Sequence, residues 1–333
     1  MNKILVPAFI LFVQLAALAQ PFRLPTANQA LFEKGGDERF FVPTPGHTWT
    51  SGCFGCVRSD GWQMHEGLDI KCLQRDKRGE PTDPVMATAD GTVAYMNRQP
   101  SLSNYGRYLV LRHNIGGVEI YSLYAHLSEF APGLKIGQAV TAGQKVAVMG
   151  RTSNTGSGIS RERAHVHFEL NLFYNDHFSA WYKKHYPNLH DDHGIWNGQN
   201  LVGIDPRLIL LAQREEGPRF NLAAWLQHRT ELCRVLVRKT DFAWLRRYPM
   251  LVKNDPAMRE RIAGYEMALD YNGLPFELIP RSASQIKGTG TYQLVSVNAE
   301  EYTRNPCRKL VTRHGTHWQL GGNGVSLLGM LTY

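Results

Sequence analysis

The sequence predicts a mostly β protein of antiparallel strands, followed by a smaller α+β region at its C-terminal end. The first observation is a series of short valine-rich runs, joined by Asp-Gly and Gly-Gly turns, between about residues 40 and 172. Such runs are typical of strands connected by hairpins. The second is a change after residue 205, where PRLILLAQ and NLAAWLQHRTEL look helical. The third is Asn272-Gly273 between apolar runs, which indicates a further hairpin, before the strand-like segments TYQLVSV, RKLVTRH and HWQL.

The order of these elements predicts a division of the chain into segments. Its 333 residues are too many for one small domain. The first 19 residues hold one lysine, an apolar run and small residues at the end, which predicts a cleavable signal peptide and export to the periplasm or the cell exterior. The apolar run is short for a membrane span, so we expect no stable membrane insertion. The expected segments are 1–19 signal peptide, 20–44 N-terminal extension, 45–172 β core, 173–205 aromatic- and histidine-rich insertion or connector, and 206–333 accessory α+β domain.

The connector contains one expected helix, from Asp176 to Tyr186, which ends before Pro187. Asp176 is the expected cap, since an aspartate accepts hydrogen bonds from free amides at a helix start. The histidines of this segment are spaced irregularly, which favours surface positions over a second metal site. They are His177, His185, His190 and His193.

The charge balance indicates the class of partner. A formal net charge of +8 favours an anionic polymer such as cell wall or a membrane surface. The lysines and arginines are dispersed and form no recognisable binding motif, so we expect no nucleic-acid partner.

Five cysteines in an exported chain allow two disulfides and one free thiol. Cys53, Cys56 and Cys72 lie near one another, whereas Cys233 and Cys307 lie in the C-terminal half. We expect one bridge within each group. The Cys53-x-x-Cys56 spacing also fits half of a zinc knuckle, but the sequence has no matching second pair.

The first candidate functional residues are the two histidines of RAHVHFEL, residues 163–170. If Val166, Phe168 and Leu170 face a core, the period of two places His165 and His167 together on the opposite face of the strand. An isolated His-x-His is more often the polar side of a half-buried strand than a metal site. Neutral imidazole is nevertheless the commonest metal ligand, so further ligand groups elsewhere would decide.

Two other segments supply such groups. MHEGLDIKC places His65 in a loop and Asp69 on the strand that follows, so both side chains can reach one point. With His167 they would form a ligand set of two nitrogens and one oxygen that leaves a fourth position for water. YSLYAHLS adds His126 at the end of an expected strand, a position where a histidine is usually a packed or capped side chain.

At this point the sequence resembles the lysostaphin-like and LytM-type zinc metallopeptidases, which cut peptide cross-links in bacterial peptidoglycan. The resemblance covers roughly residues 45–172 and rests on ordered segments: HEGLD (65–69), ADGTV (89–93), YGRYLVLRH (105–113), YAHLS (124–128), GQAVTAGQKVAVMG (137–150) and AHVHFEL (164–170). It implies an antiparallel β-sandwich or open-barrel core of the duplicated hybrid motif kind.

The resemblance also implies roles for the site residues. His65, Asp69 and His167 would hold one catalytic Zn²⁺, and His126 and His165 would be the non-ligand histidines beside the reacting water. One of these two would act as base and the other as hydrogen-bond donor to the oxyanion, in an order that the sequence leaves open.

The implied function is that of an exported zinc metalloendopeptidase whose partner is peptidoglycan, through its stem peptides and cross-links. The alternative is a catalytically silent relative that binds cell wall or activates another hydrolase. Such relatives typically lack one or more metal-site residues, whereas all five positions are filled here, which favours the enzyme.

The sequence departs from the family in the loops that would select the substrate. GSGISRERA replaces the short Gly-Pro lead into His-x-His, so Arg161 or Arg163 could bind a peptide carboxylate, although an exposed charged loop is the simpler interpretation. Glu169 either orients a histidine or is a plain surface carboxylate. Glu66 adjoins a ligand, but the family pattern requires no acid there, so we assign it no role.

Overall fold

The computed structural model describes residues 20–156, 158–253 and 260–333. The expected signal peptide, residues 1–19, lies outside the described residues. Within the described part, we find no helix whose length and apolar character would let it span a membrane.

The strands of the described residues, in chain order, are β1 Gly55–Arg58, β2 Gln63–His65, β3 Leu68–Lys71, β4 Pro84–Met86, β5 Gly91–Asn97, β6 Tyr108–Ile115, β7 Val118–Ala125, β8 Leu127–Phe130, β9 Ala139–Val140, β10 Lys145–Met149, β11 His165–Phe173, β12 Leu201–Ile204, β13 Cys233–Val237, β14 Ile262–Leu269, β15 Pro275–Ser282, β16 Tyr292–Val297, β17 Val311–His314 and β18 His317–Leu320. The α-helices are α1 Asp37–Phe40, α2 Phe178–His185, α3 Pro206–Glu216, α4 Leu222–Gln227, α5 Ala243–Arg247, α6 Ala299–Arg304 and α7 Gly322–Leu331.

A large antiparallel sheet forms the centre of the N-terminal half. Its strand order is β12-β11-β7-β6-β5-β9, and β3 pairs with the first half of β11 on the edge that β12 occupies further along. A smaller sheet, β4-β10-β8, and the hairpin β1-β2 complete this half, while β15-β14-β13-β16 and the hairpin β17-β18 form the C-terminal sheets. The predicted mostly β, antiparallel fold with a C-terminal α+β part is confirmed, and among the described residues the sheets do not close into a barrel.

Both faces of the central sheet are buried, and alternation along its strands divides the side chains between two apolar clusters. On β7, Ile120 and Tyr124 belong to the main cluster, whereas Tyr121 and Leu123 belong to a second cluster on the other face. Trp196, from the segment predicted to be a connector, packs against that second cluster. The main cluster runs without interruption from Phe22 to Leu331, and the proposed domain boundaries stay a prediction.

The expected helix of the connector is present but begins later than predicted. α2 starts at Phe178 after His177, which makes no side-chain capping bond, so the prediction that Asp176 caps it is wrong. Asp176 instead accepts a hydrogen bond of 2.6 Å from Arg247. A charge-assisted bond to a guanidinium competes with the cap interaction. The helix predicted for residues 221–232 likewise ends at Gln227.

The disulfide expectation is wrong in its pairing. The structure joins Cys56 on β1 to Cys307, 251 residues further along the chain. The sequence offered no signal for this pair, because the hairpin β1-β2 meets the C-terminal region only in the folded chain. Cys53, Cys72 and Cys233 are free. Burial raises the pKa of the Cys53 thiol to about 12, and with Cys56 in a disulfide the zinc-knuckle alternative has no support.

The predicted hairpin at Asn272-Gly273 is confirmed as the turn between β14 and β15. The Asp270 carboxylate accepts hydrogen bonds of 2.9 Å from the backbone N–H groups of Asn272 and Leu274, and Gly273 has a φ of +90° that favours glycine. Asn272 is buried and donates 2.8 Å to the carbonyl of Gly203 on β12. This turn therefore contacts the edge of the central sheet.

Asp205 supplies a test of stability against pH. It caps α3 by accepting from the N–H groups of Arg207 and Leu208, at 2.8 and 3.4 Å, and burial raises its pKa to about 6 although these bonds oppose the shift. A raised carboxyl pKa means that folding favours the protonated form. The contribution of Asp205 to stability is therefore complete below about pH 4 and is lost as the pH rises through 6.

We expect Asp205→Asn, which keeps an acceptor without the charge, to unfold at a higher temperature than the parent at pH 7.5 but not at pH 4. Thermal unfolding at both pH values, with the exposed Asp241→Asn as control, measures this; a variant less stable than the parent at pH 7.5 would contradict it.

Candidate metal centre

Three strands bring the candidate ligands together. His167 on β11 lies opposite Asp69 on β3 in the antiparallel register, and opposite Ala125 at the end of β7 on its other side. His65 ends β2, and the chain turns sharply between it and β3. A Cβ atom on Gly67 would lie 2.4 Å from the carbonyl oxygen of Phe168, so the turn requires glycine there to pass over β11. This explains the Gly in the HEGLD segment.

The ligand atoms form a nearly equilateral triangle. His65 Nε2 lies 3.0 Å from Asp69 Oδ1 and 3.1 Å from His167 Nδ1, and His167 Nδ1 lies 3.0 Å from Asp69 Oδ1. All three side chains are buried, with 3–5% of each residue exposed. The predicted trio is thus brought to one point by strands that are far apart in sequence.

Both ligand histidines are fixed in one tautomer by their second ring nitrogen. His65 Nδ1 donates to the carbonyl oxygen of Cys53 at 2.6 Å, which leaves Nε2 as the lone pair at the centre. His167 Nε2 donates to Glu169 Oε1 at 2.8 Å, which directs Nδ1 at the centre. This is the arrangement that orients imidazole ligands in metal sites.

Glu169 is not a surface carboxylate. Only 2% of it is exposed, and besides His167 it accepts hydrogen bonds of 2.7 Å from the Tyr105 hydroxyl and from Asn171 Nδ2. The structure therefore favours the first of the two interpretations of Glu169, in which it orients a histidine. Tyr105 lies within a segment that marks the resemblance, but sequence reasoning assigned it no role.

The two predicted non-ligand histidines lie beside the trio. His165 and His126 have ring centroids 4.9 Å apart, and His126 lies 6.0 Å from the ring of His167. His165 Nδ1 donates to the carbonyl of Arg163 at 2.6 Å, and His126 Nδ1 donates to that of Thr152 at 2.9 Å. Each ring therefore directs Nε2 into the site; for His165 this atom is 3.4 Å from Asp69 Oδ1.

His126 has an unusual backbone. Its φ is +61°, a left-handed conformation that non-glycine residues rarely adopt. Its N–H donates to the carbonyl of Tyr105 at 2.9 Å, and the strand β8 resumes at Leu127. Gly150 permits this bend, since a Cβ atom there would lie 2.7 Å from the His126 carbonyl oxygen. Such strain, held by surrounding bonds, is common where a side chain must be re-aimed at a site.

Arg58, on β1, was missed by sequence reasoning. Its Nη2 lies 2.5 Å from Asp69 Oδ2 and 3.1 Å from His65 Nε2. Asp69 thus presents Oδ1 to the histidines and Oδ2 to the guanidinium. The sequence contains no signal for this contact, because β1 reaches the centre only through the hairpin β1-β2.

The electrostatics follow from burial and from the close packing of charges. Burial would raise the pKa of Asp69, but His165 and His65 hold it well below its usual value. Burial lowers the pKa of His65, against the attraction of Asp69, and lowers that of His126 well below its usual value, together with His165 and His167. Burial also acts to lower the pKa of His167, but its bonds to Asp69 and Glu169 raise it to about 10.

The centre opens into a cavity of about 440 Å³, which we call the metal cavity. Arg163 lines this cavity, half-buried, and its Nε donates to the Pro43 carbonyl at 3.0 Å. Arg161 instead forms an ion pair of 2.8 Å with Glu80. Of the two arginines considered for carboxylate binding, Arg163 therefore has the position for it. Glu66 also lines this cavity.

The residues fit a zinc ion. Two imidazole nitrogens and one carboxylate oxygen are the donor types that zinc prefers, and separations of 3.0–3.1 Å suit three atoms each about 2.0–2.1 Å from one ion. Among the described residues, His65, Asp69 and His167 form the group able to hold a metal ion in this way. The open cavity on one side is typical of a catalytic rather than a structural zinc site.

Comparison with known proteins locates the similarity in this half of the chain. Residues 63–179 match Peptidase family M23. An uncharacterized metalloprotease of Haemophilus influenzae is 36% identical over 108 residues, which are 32% of this chain and 18% of that protein. The murein hydrolase activator NlpD of Escherichia coli is 35% identical over 106 residues, 32% of this chain and 22% of that protein.

Two further proteins are also similar to part of this chain. The DD-carboxypeptidase/endopeptidase Mpg of Neisseria gonorrhoeae is 31% identical over 112 residues, 33% of this chain and 21% of that protein. The crystal structure of a zinc-containing peptidase from Vibrio cholerae aligns with 39% of this chain and 35% of that chain, at 26% identity and a TM-score of 0.26. The match spans about a fifth of the length of the three relatives compared by sequence.

Proposed function

We propose that this chain, whose residues 63–179 match Peptidase family M23, is an exported zinc metalloendopeptidase that hydrolyses peptide cross-links of peptidoglycan. The observation that carries the proposal is the intact centre: three converging ligand atoms and two further histidines, each ring oriented by a hydrogen bond at its other nitrogen. A protein selected only for binding would not need all five side chains in these states.

The chain's own residues prepare the reaction. His65, Asp69 and His167 would hold the ion; when bound, zinc supplies Lewis-acid polarisation of the peptide carbonyl and makes a water molecule acidic. Glu169 keeps the His167 lone pair directed to the centre, and Arg58 holds Asp69 Oδ2 so that Oδ1 is presented. Burial of the trio excludes bulk water, which strengthens these interactions.

His126 and His165 handle the proton. The lowered pKa of His126 keeps its ring neutral at neutral pH. One ring takes the proton of the attacking water at its Nε2 and passes it on to the leaving amine, and the other, carrying on Nε2 a proton taken up from solvent, donates a hydrogen bond to the developing oxyanion. The Thr152 and Arg163 carbonyls hold both rings in place during this transfer.

Peptidoglycan is the substrate that the comparisons and the charge favour. One relative is named for activation of murein hydrolases and another for carboxypeptidase and endopeptidase action. The net charge of +8 would attract an anionic wall polymer. The expected signal peptide places the chain where that polymer is.

Release of dye from labelled, purified peptidoglycan tests the proposal. We expect release by the zinc-loaded protein, loss of release after chelation, and recovery when zinc is returned. Mass spectrometry of the released muropeptides should show cut peptide bonds and intact glycan chains. Cut glycan bonds, or release that a chelator leaves unchanged, would contradict the proposal.

The similarity to NlpD makes an activator the second candidate function. It predicts binding to peptidoglycan, no release by the protein alone, and increased release when a separate wall hydrolase is added. The same assay with and without such a hydrolase therefore distinguishes the two functions.

Glu169→Gln tests the support of the centre. The substitution removes the charge that accepts from His167 and Tyr105 while keeping the side-chain shape. Loss of such an orienting partner typically lowers metal affinity by about 10–100-fold. We expect that loss in a competition titration of zinc with an indicator dye, against no change for the exposed Glu129→Gln. Equal affinities for the two variants would show that Glu169 does not support the ligand.

A further inference from the structure

The metal cavity continues beyond the centre. Glu66, Asn104 and Tyr105 line it and also line a second cavity of about 370 Å³, which we call the bridging cavity. The two cavities therefore adjoin at these three residues, and we call the row of adjoining cavities the groove. The metal centre lies at one end of this groove, which passes Tyr105.

The groove continues into a third cavity. Gly198, Gln199 and Arg308 line both the bridging cavity and a further one of about 280 Å³, which we call the distal cavity. The distal cavity is lined by apolar side chains of the connector and of the C-terminal region, among them Trp181, Leu327 and Met330. Arg308 is the charged residue among these three. It lies in the part of the chain outside the M23 match.

Arg308 is held by a short hydrogen bond on Nε, and its one ion pair is long. Its Nε donates 2.7 Å to the Oδ1 of buried Asn272, whose amide in turn donates to Gly203 on β12. Its Nη2 is 3.7 Å from Glu66 Oε1, which is beyond hydrogen-bond distance. Within residues 20–156, 158–253 and 260–333, its two terminal nitrogens thus have no hydrogen-bond partner, and a third of the side chain is exposed to the groove.

The residue before Arg308, Cys307, is covalently linked to the half of the chain that contains the metal centre. Cys307 is bonded to Cys56 on β1, two residues before Arg58. Its Sγ also lies 3.9 Å from the Sδ of Met64, the neighbour of His65. The position of Arg308 relative to the centre is therefore fixed by a covalent bond as well as by Asn272.

We propose that Arg308 is a specificity residue that binds a free carboxylate of the peptide substrate, next to an apolar group that enters the distal cavity. A guanidinium whose terminal nitrogens make no hydrogen bond presents the planar donor pair that matches a carboxylate, in spite of the long ion pair with Glu66. The proposal rests on the proposed peptidase function, because the groove joins Arg308 to the centre. The C-terminal region then serves as one wall of the substrate groove.

The test compares a purified cross-linked muropeptide dimer with the same dimer whose carboxylates have been amidated. For the zinc-loaded parent we expect KM to be about 10–100-fold lower for the free acid, with similar kcat, since a charge-assisted hydrogen bond is lost on amidation. Arg308→Gln should raise KM for the free acid to the level of the amide and leave kcat within about twofold; Arg308→Lys should be intermediate. Arg313→Gln, on the outer hairpin β17-β18 with its guanidinium over Trp318, is the matched control and should behave as the parent.

Calorimetric titration of both dimers into chelated protein separates this proposal from the proposed function. Tighter binding of the free acid that Arg308→Gln abolishes supports the assignment even if hydrolysis is absent, in which case the peptidase proposal fails. An unchanged preference in Arg308→Gln overturns the assignment, whether or not hydrolysis occurs. Thermal unfolding of each variant shows whether the fold is kept. If Arg308→Gln is unfolded, a preference in folded Arg308→Lys equal to that of the parent would overturn the assignment, as would a parent that binds both dimers equally.

Discussion

His167→Ala is expected to abolish both zinc binding and hydrolysis. The variant loses one of three ligand atoms and leaves the buried carboxylates of Asp69 and Glu169 without their common partner. The loss of affinity should therefore exceed the roughly 10–100-fold expected when only an orienting residue is removed. Metal analysis after dialysis against a weak chelator, with dye release from peptidoglycan measured in parallel, gives both quantities.

His165→Ala is the matched control, because this histidine is on the same strand two residues earlier and is equally buried. We expect it to retain stoichiometric zinc and to lose about 10²–10⁴-fold in rate, the usual contribution of a general acid or base. Full zinc in His167→Ala would contradict the assignment of His167 as a ligand. Zinc lost only in His165→Ala would mean that His165 is the ligand instead. Zinc lost in both would indicate that the whole strand end must be intact before the ion binds.

The strand β11 shows why much of this centre could be predicted. Alternation alone places His165 and His167 on one face, and the structure buries Val166 and Phe168 on the other. The register that sets His167 opposite Asp69 is a long-range pairing, which periodicity does not specify. The family resemblance supplied it, because the ordered segments around both residues imply one arrangement.

Arg58 and Arg308 show where such prediction ends. Arg58 reaches Asp69 through the hairpin β1-β2, and Arg308 reaches the groove through a disulfide across most of the chain. Neither lies in a periodic pattern or in a segment that resembles the family. Contacts of this kind depend on tertiary packing between segments distant in sequence, so the local sequence pattern does not predict them.

The helix in the connector shows a smaller failure of the same kind. Its existence and C-terminal end follow from local sequence, with Tyr186 as the C-cap directly before Pro187. Its start does not, because Asp176 is engaged by Arg247 of α5 rather than by the helix amides. A tertiary ion pair here overrides a local capping preference.

Removing the disulfide should have the second large effect. We expect Cys56→Ser/Cys307→Ser to lower the free energy of unfolding by roughly 2–5 kcal/mol, because the bridge closes a very long loop and so restricts the unfolded chain strongly. Denaturant unfolding of the oxidised protein and of the double variant measures the difference. The parent under reducing conditions should match the double variant, and Cys53→Ser, which changes a free thiol nearby, should stay close to the oxidised parent.

The double variant should also separate stability from recognition. Zinc affinity should be kept, since His65, Asp69 and His167 are held by β2, β3 and β11 without the bridge. The preference for a free carboxylate should weaken, because Arg308 would then be held mainly by Asn272. A double variant as stable as the parent would show that packing alone joins β1 to the C-terminal region. A stable loss of zinc would instead mean that the bridge supports the centre itself, through Met64 and His65.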